Sequence, residues 1–260
     1  MSASPPGRSR LRRVMLLEVA LLLGVSLGRS AIYSVLSIIE RTTRAVPLDQ
    51  QTSSLNQAAT PDRPWLSALY QLVDVLLLPV PALLALLLLA TAWPPRGGVL
   101  AATGLDLRRV RSDLLWGLGI FVGIGVPGLA LYLGSRALGL NTTVQAAGLG
   151  EHWWVVPLLV ASAAGNAVLE EVVMVGYLFV RGAQARVSPR LVLVSSAVVR
   201  GSYHLYQGFG GFVGNLVMGL LLGCFFRRTG RLWPLVVAHF LLDVASFVGY
   251  AALAGRVSWL

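Results

Sequence analysis

Apolar residues gather in seven blocks, 14–39, 66–93, 114–135, 153–180, 191–206, 211–226 and 232–254, and the connections between them are polar or arginine-bearing. The blocks take up about three-fifths of the 260 residues. Such runs are long enough to cross a hydrocarbon layer as helices. The pattern predicts an all-α, polytopic transmembrane helix bundle of about seven spans. Pro79 and Pro81 each remove a backbone donor and should kink the second span. Residues 1–13, rich in Pro, Ser and Arg, are expected to be a disordered basic tail. Arg12 and Arg13 imitate a signal peptide, but the block that follows is too long for one and contains Glu18, so it is assigned as a span.

Composition agrees. Hydrophobic residues make up 56% of the chain and charged residues 12%, too few to build a soluble surface. Little remains for a separate extramembrane domain, so the protein should act in or beside the bilayer, with the cell membrane as its location. The net charge of +10 comes entirely from arginine, which fits a high-GC bacterial genome. These arginines do not form one basic face. If the N-terminus is cytoplasmic, 14 lie in the tail and the second, fourth and sixth connections, against five (Arg41, Arg44, Arg63, Arg136, Arg256) on the other side. That asymmetry gives an N-in, C-out orientation. The charge is therefore read as topology and contact with anionic lipid, and nucleic acid is excluded as a partner. Trp65, Trp93, Trp116, Trp153, Trp154, Trp233 and Trp259 lie near block ends, where the amphipathic ring favours the headgroup layer. Cys224 is the lone cysteine, which rules out a disulfide framework and a thiolate metal cluster.

Ionisable side chains inside spans are costly, and each is a functional candidate. The blocks contain nine: Glu18, Arg29, Asp74, Glu170, Glu171, Arg200, His204, His239 and Asp243. Arg29 and Asp74 fall at similar depths if their spans are straight, and are expected to form a structural ion pair. The last six come from three spans. Arg200 and His204, and again His239 and Asp243, are four residues apart and so share a helix face. Glu170 and Glu171 are adjacent, about 100° apart, so one can face a shared cavity while the other braces a neighbouring helix. At a rise of ~1.5 Å per residue, all six fall roughly 11–20 Å from the cytoplasmic ends of their blocks. They define one polar layer, and the expectation is a water-accessible cavity built by the fourth, fifth and seventh spans.

Two chemistries suit that layer. A desolvated glutamate can act as general base on a water while an imidazole orients it or stabilises an oxyanion. Alternatively, His204, His239 and Asp243 could ligate a divalent metal such as zinc carrying a bound water. Three carboxylates against one guanidinium leave a charge that either a dication or shared protons would cancel. The residues leave both open.

At these positions the chain resembles the CPBP family of intramembrane proteases, which includes CaaX-processing endopeptidases and bacteriocin-processing or immunity proteins. The family pattern is EExxxR, FxxxH and HxxxN/D on separate helices. Here it reads Glu170-Glu171 with Val175 in the arginine position, Arg200 with His204, and His239 with Asp243. The run Thr229-Gly230-Arg231-Leu232-Trp233-Pro234 precedes the third motif. The resemblance covers residues 150–254 as a protease core, and residues 14–140 are spans without a motif. It implies an intramembrane endopeptidase acting on a peptide or membrane-protein substrate. Glu170 is then the general base, His204 positions the water, His239 and Asp243 bind the oxyanion or ligate a metal, and Glu171 assists. Two positions depart from the pattern: Val175 replaces Arg and Arg200 replaces Phe. The guanidinium is expected to have moved to a neighbouring helix while still serving the acidic pair. A non-catalytic scaffold or immunity factor of the same fold and an ion-coupled transporter are the competing readings. A transporter should show polar residues along a whole transmembrane route.

Overall fold

The computed structural model describes residues 7–254 and 256, and it is an all-α bundle of a multi-pass membrane protein. The first apolar block is not a single rod. Helices α1 (Arg8–Gly24) and α2 (Leu27–Thr42) meet at a bend of 54°. At the break Ser26 leaves helical geometry and its hydroxyl donates back to the Leu22 carbonyl at 2.6 Å, a local bond that competes with the backbone ladder. The tail assigned as disordered over 1–13 is helical from Arg8, because arginine propagates the apolar helix behind it at little cost. Residues 1–6 and Trp259 lie outside the described residues.

The second block forms α3 (Pro64–Leu77) and α4 (Val80–Thr91), joined through Leu78 and Pro79 into one span of 28 residues. A short helix α5 (Val99–Thr103) leads to α6 (Val110–Ala137). Helix α7 (Val155–Glu170) runs into a π-helix, Glu171–Tyr177, and then into α8 (Leu178–Gln184). The remaining helices are α9 (Pro189–Tyr203), α10 (Phe209–Thr229) and α11 (Trp233–Leu253). Among the described residues five helical segments are long and apolar enough to cross a membrane, and the bent α1–α2 pair makes a sixth. The fifth block accounts for the difference from about seven. Its helix α9 has only 15 residues and lies against α10 and α2.

Close approach fixes α9. A Cβ on Gly219 of α10 would come within 2.9 Å of Ala197 Cα and 3.2 Å of Arg200 Cδ, so only glycine lets the two backbones meet there. At the other end Gly208, with φ +119°, turns the chain from Leu205–Gln207 into α10, and any side chain would strike Asn141.

The connections sort onto two faces of the bundle. On one, β1 (Thr52–Ser54) and β2 (Thr143–Gln145) pair as a short parallel ribbon linking the first and third connections. Thr142 and Ser53 donate to the carbonyls of Gln207 and Tyr206, so the turn after His204 belongs to this ribbon face. The opposite face is rich in arginine. Arg231 donates to Asp106 at 2.9 Å and also pairs with Asp113, while Trp233 donates to the Leu105 carbonyl. Gln184 donates to the Trp93 carbonyl on the same side. The amide of Arg108 and the guanidinium of Arg231 hold the Asp106 carboxyl below its ordinary range. The segment from α7 to α8 is the central element, with 67% of its apolar window buried against 6% for α6, which faces outward.

Candidate active site

Helix α7 ends at Glu170, and the wider π turns start at the next residue. Such a segment changes the angular spacing of side chains and is held only when neighbours support it. Ser196 of α9 supplies that support, donating to the Met174 carbonyl at 2.6 Å. Glu170 and Glu171 therefore stand at the change of helix type, both buried.

The two glutamates have different surroundings. Glu171 is fully buried, with Oε1 accepting from Arg200 at 2.7 Å and lying 2.8 Å from Nδ1 of His239. It therefore braces α9 and α11. A carboxylate paired with a guanidinium can only accept, so Nδ1 of His239 carries the proton and Nε2 faces the remaining acids. Glu170 faces outward from the pair. Its Oε2 accepts from the Tyr203 hydroxyl at 2.5 Å and from Arg200 at 3.4 Å, and Nε2 of both His204 and His239 lies 3.9 Å away. Among the described residues Oε1 of Glu170 makes no hydrogen bond, and neither does either ring nitrogen of His204. Asp243 lies 3.7 Å from Nε2 of His239 and accepts from Asn166 at 3.3 Å.

The structure thus brings Glu170, Glu171, Arg200, His204, His239 and Asp243 together. Arg200, fully buried, reaches both acids, and Val175 is packed in the apolar core. Helix α11 packs chiefly on α6 and α7, and α9 on α10 and α2. The imidazoles of His204, at the end of α9, and His239, on α11, therefore approach Glu170 from different helices. Gaps of 3.7–3.9 Å are too long for direct hydrogen bonds and suit a shared small molecule.

The Arg29–Asp74 ion pair is not formed. Both residues are exposed, and Arg29 lies over the Tyr33 ring at 5.4 Å; the 54° bend removes the straight-span geometry on which the pairing depended. Glu18 instead pairs with Arg181 at 2.8 Å and accepts from Tyr177 at 2.7 Å. Arg181, counted as a connection residue from the sequence, is wholly buried in α8. Sequence reasoning also missed Tyr203 and Asn166 as site residues. Each is uncharged, yet Tyr203 adjoins His204 and Asn166 lies one turn before Glu170, and those positions were the available signals.

Among the described residues no three His, Cys, Asp or Glu side chains form a set that would hold a metal ion. Glu170 is engaged by Tyr203 and Arg200, and one nitrogen of His239 by Glu171. His204, His239 and Asp243, the donors expected from the sequence, are not gathered into such a set among the described residues, and no step is derived through a metal.

Comparison with known proteins supports the motif reading. Residues 152–245 match the family model described as Rce1-like, type II CAAX prenyl endopeptidase, which confirms the resemblance to the CPBP and CAAX protease group over the segment that holds the cluster. No curated protein and no solved structure matches the chain.

Proposed function

Taking as premise a multi-pass membrane protein whose residues 152–245 match the Rce1-like, type II CAAX prenyl endopeptidase family model, we propose that it is an intramembrane endopeptidase in which Glu170 activates the hydrolytic water. One observation carries the reading: Glu170 has one oxygen anchored by Tyr203 and Arg200 and, among the described residues, no hydrogen bond on the other, with two imidazoles nearby.

The chemistry follows from those contacts. A water held between Oε1 of Glu170 and the His204 ring, whose nitrogens make no hydrogen bond among the described residues, gives its proton to Glu170 as its oxygen attacks the substrate carbonyl. The C–N bond then breaks, the proton on Glu170 passes to the leaving amine, and one water is consumed per bond cut. His239, fixed through Nδ1 by Glu171, presents Nε2 towards the same space and, when protonated, donates to the oxyanion. Asp243, oriented by Asn166, lies 3.7 Å from that nitrogen. The Arg200 charge offsets the acidic pair, the role the family pattern gives to an arginine at position 175. The substrate is a peptide or membrane protein reaching the cluster from within or beside the bilayer. The motif departures leave these contacts intact, which favours a working site over a scaffold.

The experiment is cleavage of a peptide library by purified protein, with and without chelator, beside Glu170→Ala. The proposal expects cleavage that survives the chelator and is lost in the variant. Equal cleavage by both proteins would remove Glu170 from the mechanism, and loss on chelation with return on zinc would replace it with metal chemistry.

A further inference from the structure

Under the proposed hydrolysis the buried cluster at Glu170 must receive water in an apolar interior, and the two directions along the central helix differ sharply. Towards the arginine-rich face the chain beyond Glu171 is Val172, Val173, Met174 and Val175, each at most 2% exposed, with Leu232 and Leu235 wholly buried against the same core. Those side chains form an apolar plug. Towards the ribbon face α7 presents Asn166 and Ser162, at four and eight residues before Glu170 and so on the same helix face. Each meets polar partners from another element. Asn166 donates to Asp243, whose side chain is 20% exposed, and Ser162 donates to Asn56 at 3.2 Å. Asn56 also faces Gln71 at 3.5 Å and lies in the loop that carries the ribbon. The row spans ~12 Å of helix, about the distance from the cluster to the loops. Leu159, Ala163 and Phe247 close the adjoining seam between α7 and α11, which confines the polar row to one side of α7.

The geometry points to a polar access route that connects the cluster with the ribbon face through Asn166, Ser162 and Asn56, while the opposite face is sealed by the Val172–Val175 plug. Under the proposed hydrolysis this route supplies the reacting water. Its existence can be read without any cleavage, so the two ideas stand or fall separately.

The test uses single-cysteine variants of the full chain in membrane vesicles, in a Cys224→Ala background, with a charged membrane-impermeant thiol reagent applied to one side at a time. Glu151→Cys and Arg228→Cys, both exposed, mark the ribbon and arginine-rich faces. Ser162→Cys, a near-isosteric change, and Asn166→Cys are expected to react from the side that labels Glu151→Cys and not from the other. Val173→Cys should react from neither. Silence of Ser162→Cys while Glu151→Cys reacts, labelling of it from the Arg228→Cys side, or labelling of Val173→Cys would each overturn the route.

Discussion

Arg200→Met removes the only guanidinium that touches the acidic pair among the described residues. Arg200 and Glu171 are both wholly buried, and Oε2 of Glu171 has no hydrogen-bond partner among the described residues. The substitution leaves one carboxylate held by His239 alone and a second held by Tyr203. Breaking a buried pair from one side costs about 3–5 kcal/mol, because the remaining charge is neither hydrated nor matched. At ~2–4 °C per kcal/mol for a chain of this size, the melting temperature should fall by roughly 6–20 °C. Thermal unfolding in detergent measures it, with peptide cleavage read in parallel below the transition. Arg200→Met combined with Glu171→Leu separates the terms: removing both charges should restore most of the stability. Activity should stay low, since His239 has lost the acceptor that fixes its Nδ1 proton. A single variant within about 1 kcal/mol of the parent, or a double variant less stable than the single, would refute the reasoning.

Other expectations follow from the same contacts. Tyr203→Phe deletes a charge-assisted hydrogen bond worth about 1.5–3 kcal/mol, and should lower kcat more than it changes KM in steady-state assays. In the double variant Arg200→Phe, Val175→Arg, activity above that of either single variant is expected if the guanidinium can serve the acidic pair from α9 or from position 175; activity no better than the singles contradicts that exchange. Gly219→Leu would force α9 away from α10, costing about 1–3 kcal/mol by thermal unfolding and displacing Arg200 with a loss of cleavage. The Asp106 carboxyl is held below its ordinary range, so its contribution is present above the usual aspartate value and lost as pH falls through the lowered one. Acid-side melting curves should show that loss in the parent and a smaller one in Asp106→Asn.

The bundle and the cluster were legible because both are written in strong signals. Apolar blocks leave no other fold, and charges in apolar helices are scarce enough that Glu170, Glu171, Arg200, His204, His239 and Asp243 stand out at a shared depth. Features written in weaker signals were not legible. Tyr203 and Asn166 are uncharged and occur freely in spans. The π-helix has no signature in Glu171–Tyr177 and is held by the hydroxyl of Ser196 on another helix. The bend near Ser26 redirected α1, so Glu18 found Arg181 and the Arg29–Asp74 pair failed. The ribbon depends on segments 91 residues apart, beyond the reach of any local pattern.

The central claim is that Glu170, His204 and His239 act together on one water, and a kinetic cycle among them tests it most directly. Glu170→Gln, His204→Asn and His239→Asn, singly and in pairs, are assayed on one peptide that the parent cleaves. Residues that work as a unit are non-additive, so each single change should cost on the order of 10²–10⁴ in kcat and each pair little more than its worse member. Losses that multiply in the pairs, or a Glu170→Gln protein that cleaves at the parent rate, would contradict the account.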